Sequence, residues 1–271
     1  MIFYATISQK DVTIVKRDAR RQEIMDMLVR DGSVALDALS EHFSVSKMTI
    51  HRDLDDLEQA GLLRKVRGGA TIEPGTQFES DFRFRERQGG DVKRRIARAA
   101  LELVEPGSTV IVNDGSMAAV LGAMLVEARP LTVITNNFAV MEALRNERGI
   151  TLIGLGGTYS SKYNGFFGVV TEESLFRLRA DIAFISTPAV SRTTSYHMDD
   201  AVVRAKQAMM KISDRKCLMV GHQRFGRSAL HAMADLRDFD AIVTDAEPGA
   251  ASMEELRDAG ITLTIAKDKA E

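Results

Sequence analysis

The sequence predicts an α/β protein of two unlike domains, a small helical one with a short β-hairpin and a larger one with a mostly parallel sheet. Two observations predict this class. Apolar residues recur at helical spacing three times between Asp18 and Gly61, a periodicity typical of packed helices. From residue 91 onward, short and nearly continuous apolar runs alternate with helical segments, which indicates parallel strands covered on both faces.

The composition limits the possible classes of protein. With 271 residues, 45% of them hydrophobic and 27% charged, the chain is an ordinary globular protein long enough for two domains. No run reaches the roughly 18 to 20 apolar residues of a membrane span, and the start lacks the apolar core of a signal peptide, so we expect a cytoplasmic protein. The single cysteine, Cys217, lies in an apolar run and is expected to be a buried strand residue.

Charge is balanced, with 36 Lys and Arg against 38 Asp and Glu, and neither half of the chain is basic. Binding to a nucleic acid must therefore rest on local basic patches. The sequence contains two such patches. They are Lys16, Arg17, Arg20 and Arg21 near the start, and Arg64, Lys65 and Arg67 further on.

Three helices are predicted in the small domain. The first runs from Asp18 to Arg30, and the second is a shorter segment that ends before Ser44-Val45. Ser46 is the expected N-cap of the third helix, and Gly61 stands at its expected C-terminal cap. The inward residues are Ile24, Met27 and Leu28 in the first helix, Leu36, Leu39 and Phe43 in the second, and Ile50, Leu54 and Leu57 in the third.

A β-hairpin is predicted directly after the third helix. Two short strands, Leu62–Val66 and Ala70–Ile72, flank the glycine pair Gly68-Gly69. Two helices joined by a very short turn and followed by a basic hairpin form a winged helix-turn-helix, whose second helix of the pair reads the major groove of DNA. The alternative is a plain three-helix packing unit whose His and Arg side chains are solvated.

The outward side of the third helix holds the residues that would read DNA. Arg52 is the best candidate for a bidentate contact to guanine, whereas Ser46 and Thr49 suit phosphate contacts. The candidate DNA-binding residues are Ser46, Lys47, Thr49, His51, Arg52, Arg64, Lys65 and Arg67.

In the larger domain, a helix from about Lys93 to Val104 is closed by Pro106-Gly107 and followed by seven predicted strands. The strands are Thr109–Asn113, Leu131–Thr135, Thr151–Leu155, Asp181–Ser186, Lys216–Val220, Asp240–Thr244 and Ile261–Ala266. The turn Asp114-Gly115-Ser116 joins a strand to a helix, where backbone amides surround an anion. Asn136 opens beside it at the carboxyl edge of the sheet.

Lys206 and Arg224 are candidate cations for a phosphate group, and Asp114 is a candidate acceptor for sugar hydroxyls. The alternatives are a tight strand-to-helix connection without a ligand and a solvated Lys206.

The helix-turn-helix stretch carries a resemblance to a known family. Ser46 to Leu54, Leu57-Glu58, Gly61 to Leu63 and Val66 to Ala70 together resemble the signature of DeoR-type bacterial transcription regulators. His51 stands where the family usually has arginine, which weakens the transfer of a base contact to that position.

The resemblance continues to about Asp245 and implies a sensor domain similar in fold to ribose-5-phosphate isomerase. It implies a phosphorylated sugar or polyol as effector and repression of a carbohydrate or polyol operon. The expected effector-binding residues are Asp114, Gly115, Ser116, Thr135, Asn136, Asn137, Gly156, Gly157, Lys206 and Arg224. Met117 and Arg224 depart from the threonine and lysine common in the family.

A ligand-responsive transcription regulator is therefore the leading hypothesis, with an isomerase-like enzyme carrying a DNA-binding appendage as its rival. An architectural DNA protein without a ligand is a third possibility. We expect no catalytic residues, metal or cofactor, a homo-oligomer (dimer or tetramer), and operator DNA as partner. The expected boundaries are an N-terminal extension at 1–17, the winged helix-turn-helix at 18–72, a linker at 73–90 and the sensor domain at 91–271.

Overall fold

The computed structural model describes residues 17, 19–21, 23–28, 31–59, 62–71 and 82–267, and the side chains of all of these except 83 and 84. The chain divides into two compact units, Met1–Phe84 and Arg85–Glu271. The predicted class, a small winged helix-turn-helix followed by an α/β domain, is confirmed. The predicted C-cap at Gly61, the start of the chain before Arg17 and the linker up to residue 81 lie outside the described residues.

In the first unit, three helical segments pack around one apolar core. They are α1 at residues 23–28, α2 at Leu36–Phe43 and α3 at Lys47–Gln59. The apolar stripes predicted from the sequence supply this core, since Ile24, Leu39 and Ile50 are fully buried. The turn between α2 and α3 is closed by Ser40, whose Oγ donates to the carbonyl of Val45 at 2.6 Å.

A three-stranded antiparallel sheet completes this unit, in the order β1-β3-β2. Its strands are β1 at Ser33–Ala35, β2 at Arg64–Val66 and β3 at Gly69–Thr71. The β2–β3 hairpin is the predicted wing. The first strand was not predicted, because three residues with one buried side chain, Val34, are too short to show a period. A Cβ at Gly69 would lie 2.0 Å from the carbonyl oxygen of Val34, so this pairing requires glycine there.

The second unit is built on a seven-stranded parallel sheet with the order β15-β14-β12-β9-β4-β5-β6. All seven predicted strands are present, with ends that agree within three residues. They are β4 at Thr109–Val112, β5 at Leu131–Thr135, β6 at Ile150–Gly154, β9 at Ala180–Ser186, β12 at Ser213–Met219, β14 at Ala241–Thr244 and β15 at Thr264–Ile265.

Two apolar cores cover the two faces of this sheet. Successive side chains of a strand point to opposite faces, so Ile111 belongs to one core while Val110 and Val112 belong to the other. Both faces are apolar, which explains the nearly continuous hydrophobic runs in the sequence. Cys217 is buried in the second core, as predicted, and burial raises the pKa of its thiol to about 12.

The remaining helices and smaller sheets belong to the second unit, except that the first of these helices begins three residues before that unit. The helices are α4 at Phe82–Arg87, α5 at Gly90–Leu101, α6 at Ser116–Met124, α7 at Phe138–Leu144, α8 at Val169–Leu175, α9 at Asp200–Lys211 and α10 at Ala250–Asp258. The additional strands are β7 at Thr158–Ser160 and β8 at Gly165–Phe167, which form a hairpin, and β10 at Ala189–Ser191, β11 at Thr194–His197 and β13 at His231–Asp235, which form a separate antiparallel sheet. The segment predicted as linker contains α4, which the sequence analysis missed because a six-residue helix rich in arginine shows no apolar period.

Helices α6 and α7 approach each other closely at Gly122, where a Cβ would lie 2.5 Å from Cγ2 of Val140. Replacing a helical glycine by alanine ordinarily stabilises a protein by about 0.5–1 kcal/mol. Overpacking a core costs about 1–3 kcal/mol. We therefore expect Gly122→Ala to lower the free energy of unfolding by about 1–2 kcal/mol, measured by urea denaturation of the full chain.

The double variant Gly122→Ala, Val140→Ala provides the control. Removing the valine methyl groups makes room for the new Cβ, so the double variant should be more stable than the sum of the two single effects. Additivity within about 0.5 kcal/mol would contradict the proposed close contact.

Candidate functional site

The N-terminus of α3 is capped by Ser46, as predicted. The backbone N–H of Thr49 donates to Ser46 Oγ at 3.2 Å, and the two hydroxyls lie 2.9 Å apart. Both hydroxyls thus define the first turn of the helix. They stand at the end of α3 that a recognition helix presents to the bases.

The outward face of α3 is open to solvent. Met48 is 62% exposed, and His51 and Arg52 are exposed as well. Within the part of the chain that the structure describes, neither His51 nor Arg52 has an ion-pair partner. Lys47 contacts Asp37 at 2.8 Å, but both side chains are largely exposed and such pairs contribute little. This face therefore carries cationic groups that are available to DNA.

The wing divides its three cations between two roles. Arg64 and Arg67 are exposed, and Arg67 lies in the turn between β2 and β3. Lys65 is half-buried: its ammonium pairs with Asp55, and its backbone N–H donates to Glu58 Oε1 at 2.7 Å. Since both acids belong to α3, Lys65 fastens the wing to that helix.

In the basic patch predicted near the start of the chain, Arg20 and Arg21 pair with acidic side chains of α3. Both guanidinium groups contact the carboxylate of Asp53, Arg20 at 2.5 Å and Arg21 at 3.1 Å, and Arg21 also pairs with Asp56. The Asp53 side chain is only 2% exposed. A buried carboxylate requires cationic partners, so these arginines stabilise the packing of α3.

In the second unit the strand order reverses between β4 and β9. Strands β4, β5 and β6 extend the sheet to one side in chain order, and β9, β12, β14 and β15 extend it to the other. Ligands of open parallel sheets bind outside the carboxyl ends of the strands at such a switch point. The residues that follow β4, Asn113 and Asp114, meet Ser186 at the end of β9, whose backbone N–H donates to Asn113 Oδ1 at 3.2 Å.

Asp114 and Lys206 form a buried ion pair at this point. Both side chains are 2% exposed, and Lys206 Nζ lies 3.5 Å from Asp114 Oδ1. The ammonium also donates to the carbonyl of Ser186 at 2.8 Å. Burial lowers the pKa of Lys206, while Asp114 opposes that effect and Arg85 adds to it. Lys206 reaches the predicted site from α9, and the alternative of a solvated side chain is wrong.

Further cationic and aromatic groups surround this pair. The Arg85 guanidinium carbon lies 5.9 Å from the centre of the Tyr163 ring, and Lys162 Nζ lies 5.1 Å from the same centre. A Cβ built on Gly115 would be 3.6 Å from Arg85 Nη1. Burial, then Lys206 and Arg85, lowers the pKa of His197 to about 2, so this imidazole stays neutral. Its Nδ1 accepts from the backbone N–H of Asp199 at 3.1 Å.

Two buried polar atoms close to this cluster lack a hydrogen-bond partner among the residues that the structure describes. They are the hydroxyl of Tyr163 and Oδ1 of Asn136. Burial raises the pKa of Tyr163, with the charge of Asp199 acting in the same direction, so the hydroxyl keeps its proton. Native proteins satisfy nearly all buried polar groups, so these two atoms are candidate hydrogen-bond partners for a bound ligand.

Two of the predicted effector residues use their polar atoms within the protein. Thr135 Oγ1 donates to the carbonyl of Val112 at 2.6 Å and accepts from the N–H of Asn137. The Asn137 amide donates to the carbonyls of Asn113 and Gly115, and its Oδ1 accepts from Ala139 at the start of α7. These side chains hold the loop after β4 in place.

Gly156 and Gly157 pack against other elements. A Cβ at Gly157 would lie 2.4 Å from Oγ1 of Thr171, and that hydroxyl donates to the carbonyl of Gly156 at 2.7 Å. Gly157 thus permits close packing of the chain on α8, whereas a Cβ at Gly156 would meet no atom within 4 Å. Ser116 is the buried first residue of α6, directly after the Gly115 turn.

Arg224 is half-buried in a short turn at His222–Arg224. Its charge helps to lower the pKa of Lys93, after burial and Arg85. In the same turn, His222 Nδ1 lies 2.7 Å from Asp245 Oδ2. Arg224 thus lies close enough to Lys93 for the two charges to interact.

Sequence reasoning missed Arg85, Lys93, Lys162, Tyr163 and Ser186. Arg85 stood within a segment interpreted as a linker, and Lys162 and Tyr163 lie in the loop of the short β7–β8 hairpin. The strong cation content of residues 82–94 was the one available signal. Nothing in the sequence indicated that Arg85 would lie near Asp114.

No helix in the described part of the chain is long and apolar enough to span a membrane. Likewise, the described residues contain no group of three or more His, Cys, Asp or Glu side chains that could hold a metal ion.

The chain matches two family models. Residues 20–74 match the DeoR-like helix-turn-helix domain, and residues 89–246 match the DeoR C terminal sensor domain. A solved ribose 5-phosphate isomerase from Methanocaldococcus jannaschii aligns with 51% of this chain and 55% of its own, at 18% identity and a TM-score of 0.37.

Curated relatives align over nearly the whole chain. It is 30% identical to the glycerol-3-phosphate regulon repressor of Escherichia coli K12, over 93% of this chain and all of that protein. It is also 30% identical to the putative aga operon transcriptional repressor of Escherichia coli O157:H7, over 91% and 93% of the two chains, and to the L-fucose operon activator of Haemophilus influenzae, over 83% and 91%. This chain therefore belongs to the DeoR family of transcription regulators.

Proposed function

We propose that this protein is a cytoplasmic, homo-oligomeric repressor of a carbohydrate or polyol catabolic operon, released from its operator by a phosphorylated effector. The observation that carries the effector class is the group of cations around the buried Asp114–Lys206 pair at the switch point of the sheet. Two of the relatives described above are repressors, one of them of a glycerol-3-phosphate regulon. In our proposal the winged helix-turn-helix extends over residues 18–72, a linker over 73–90 and the sensor domain over 91–271.

In the proposed DNA complex, the N-terminal half of α3 enters the major groove. Arg52 contacts a guanine, and His51 reaches an adjacent base edge. Ser46, Lys47 and Thr49 bind phosphate oxygens at the start of the helix. Arg64 and Arg67 bind the neighbouring phosphates from the wing, while Lys65 positions the wing through its contacts with α3.

In the proposed effector complex, the ligand lies over the loops that follow β4, β5 and β9. Asp114 and Asn136 Oδ1 accept hydrogen bonds from sugar or polyol hydroxyls, and the N-terminus of α6 at Gly115 and Ser116 faces the anion. Lys206 and Arg224 supply positive charge to the phosphoryl group. Four of the expected residues shape the site without touching the ligand, because their contacts are within the protein. They are Thr135 and Asn137, which hydrogen-bond to backbone carbonyls, Gly156, whose carbonyl accepts from Thr171, and Gly157, which packs on Thr171.

An isomerase-like activity is the alternative, and the buried Asp114–Lys206 pair gives it a specific basis. A thermal-shift screen of phosphorylated sugars and polyols, including glycerol 3-phosphate and ribose 5-phosphate, identifies binders. Incubating each binder with the protein and analysing the products separates the two functions. We expect binding without turnover, and conversion of any binder would contradict a purely regulatory role.

Arg52→Ala should weaken operator binding by about 1–3 kcal/mol and relax sequence preference at one base pair, because a base-edge contact is lost. The measurement is a gel-shift titration against operator variants. Arg67→Ala serves as the matched control: loss of a phosphate contact should lower affinity for all sequences and reduce the salt slope by about one. Unchanged sequence preference in Arg52→Ala would remove the base-reading role.

Asp114→Asn should weaken effector binding about tenfold, because a charged acceptor for a hydroxyl becomes a neutral amide. The alanine variant is a poorer test, since it would leave the Lys206 ammonium buried without its partner. The readout is calorimetric titration with the compound selected by the screen. Operator affinity without effector should match wild type, and effector affinity that also matches wild type would overturn the assignment of Asp114.

A further inference from the structure

We propose that α4 carries the effector signal: the guanidinium of Arg85 binds the phosphoryl group of the effector, and occupancy of the site thereby fixes this helix. The inference rests on the effector site of the proposed function and assigns the element that couples it to the rest of the chain. Helix α4 covers Phe82–Arg87, and the boundary between the two compact units falls within it, between Phe84 and Arg85.

The position of Arg85 supports a role in ligand binding. Its guanidinium reaches back from α4 to the turn at Gly115 and to the face of the Tyr163 ring. The positive charge of Arg85 lowers the pKa values of Lys206, His197 and Lys93, so it interacts electrostatically with each of these groups. A planar guanidinium beside Gly115, close to the ammonium groups of Lys93 and Lys206, suits the paired oxygens of a phosphoryl group.

A second contact ties the backbone of α4 to the same site. Lys93, which lies on α5 and is 9% exposed, donates from its ammonium to the carbonyl of Arg85 and, at 3.3 Å, to that of Glu86. Cations near the last carbonyls of a helix stabilise that end of it. Residues of the sensor unit thus contact Arg85 twice: Tyr163 contacts its guanidinium, and Lys93 binds its backbone carbonyl.

The electrostatics explain why a ligand would change the stability of this arrangement. Burial, Arg85 and Arg224 together lower the pKa of Lys93 to about 8, while the charge of Glu86 opposes them. Arg85 and Arg224 therefore each repel Lys93 in the conformation described here. A dianionic phosphoryl group would relieve that repulsion and favour this position of α4 over others. Such a difference in affinity between conformations is what an effector needs to shift an equilibrium.

The test is amide hydrogen exchange on the full chain, with inorganic phosphate as the probe and sodium chloride at matched ionic strength as the reference. In the wild type we expect phosphate to slow exchange about tenfold both at residues 82–93 and at residues 113–117. Arg85→Met should keep protection at 113–117 and lose it at 82–93. Arg87→Met changes an exposed arginine of the same helix and should behave as wild type.

The outcomes separate this inference from the proposed function. Protection at residues 113–117 alone in the wild type would overturn the role of α4 and leave the effector site standing. An absence of protection at both segments would contradict the anion site itself, and the inference with it. If circular dichroism shows that Arg85→Met does not fold, Arg85→Lys replaces it. A point charge without the planar fork should give weaker protection at 82–93 than the wild type, and undiminished protection would contradict the bidentate contact.

Discussion

The architecture of the sensor unit depends on one buried ion pair, Asp114 with Lys206. Taking two charges out of water is costly, and such a pair is often no more stable than two apolar residues of the same volume. Breaking it is another matter, since an unpaired buried charge costs about 3–5 kcal/mol. The pair therefore constrains both loops that bear on it, because any movement that separates the charges is strongly unfavourable.

The parallel sheet places these two charges together. Asp114 follows β4, and Ser186 ends β9. The first residues of these two strands are 71 positions apart in the chain, yet the strands are neighbours in the sheet, which brings their carboxyl ends to one edge. Lys206 then arrives from α9 and binds the carbonyl of Ser186 as well as Asp114. Asn137, in the loop after β5, stabilises the loop after β4, because its amide donates hydrogen bonds to the carbonyls of Asn113 and Gly115.

The sequence predicts the regular elements well and the site only in part. Strands such as Leu131–Thr135 could be predicted because a strand buried on both faces of the sheet needs apolar residues at nearly every position. The role of Lys65 could not be predicted, because its contacts with Asp55 and Glu58 depend on how the wing folds back on α3. Arg85 and Tyr163 were missed for the same reason: tertiary packing, which no local period encodes, brings them beside Asp114.

The two proposed binding surfaces are electrostatically different, and that difference bears on the proposed regulation. On α3, His51 and Arg52 are exposed, so a DNA phosphate or base can replace water with little rearrangement. In the sensor unit, Lys206 is buried beside Asp114; burial and the charge of Arg85 disfavour its charged form, and Asp114 favours it. An anion entering that site relieves an existing repulsion in a medium of low dielectric constant, where electrostatic interactions are stronger than at the surface. Binding at the buried, cation-rich site is therefore better suited to drive a conformational change. The exposed surface of α3 is better suited to respond to that change by binding or releasing DNA.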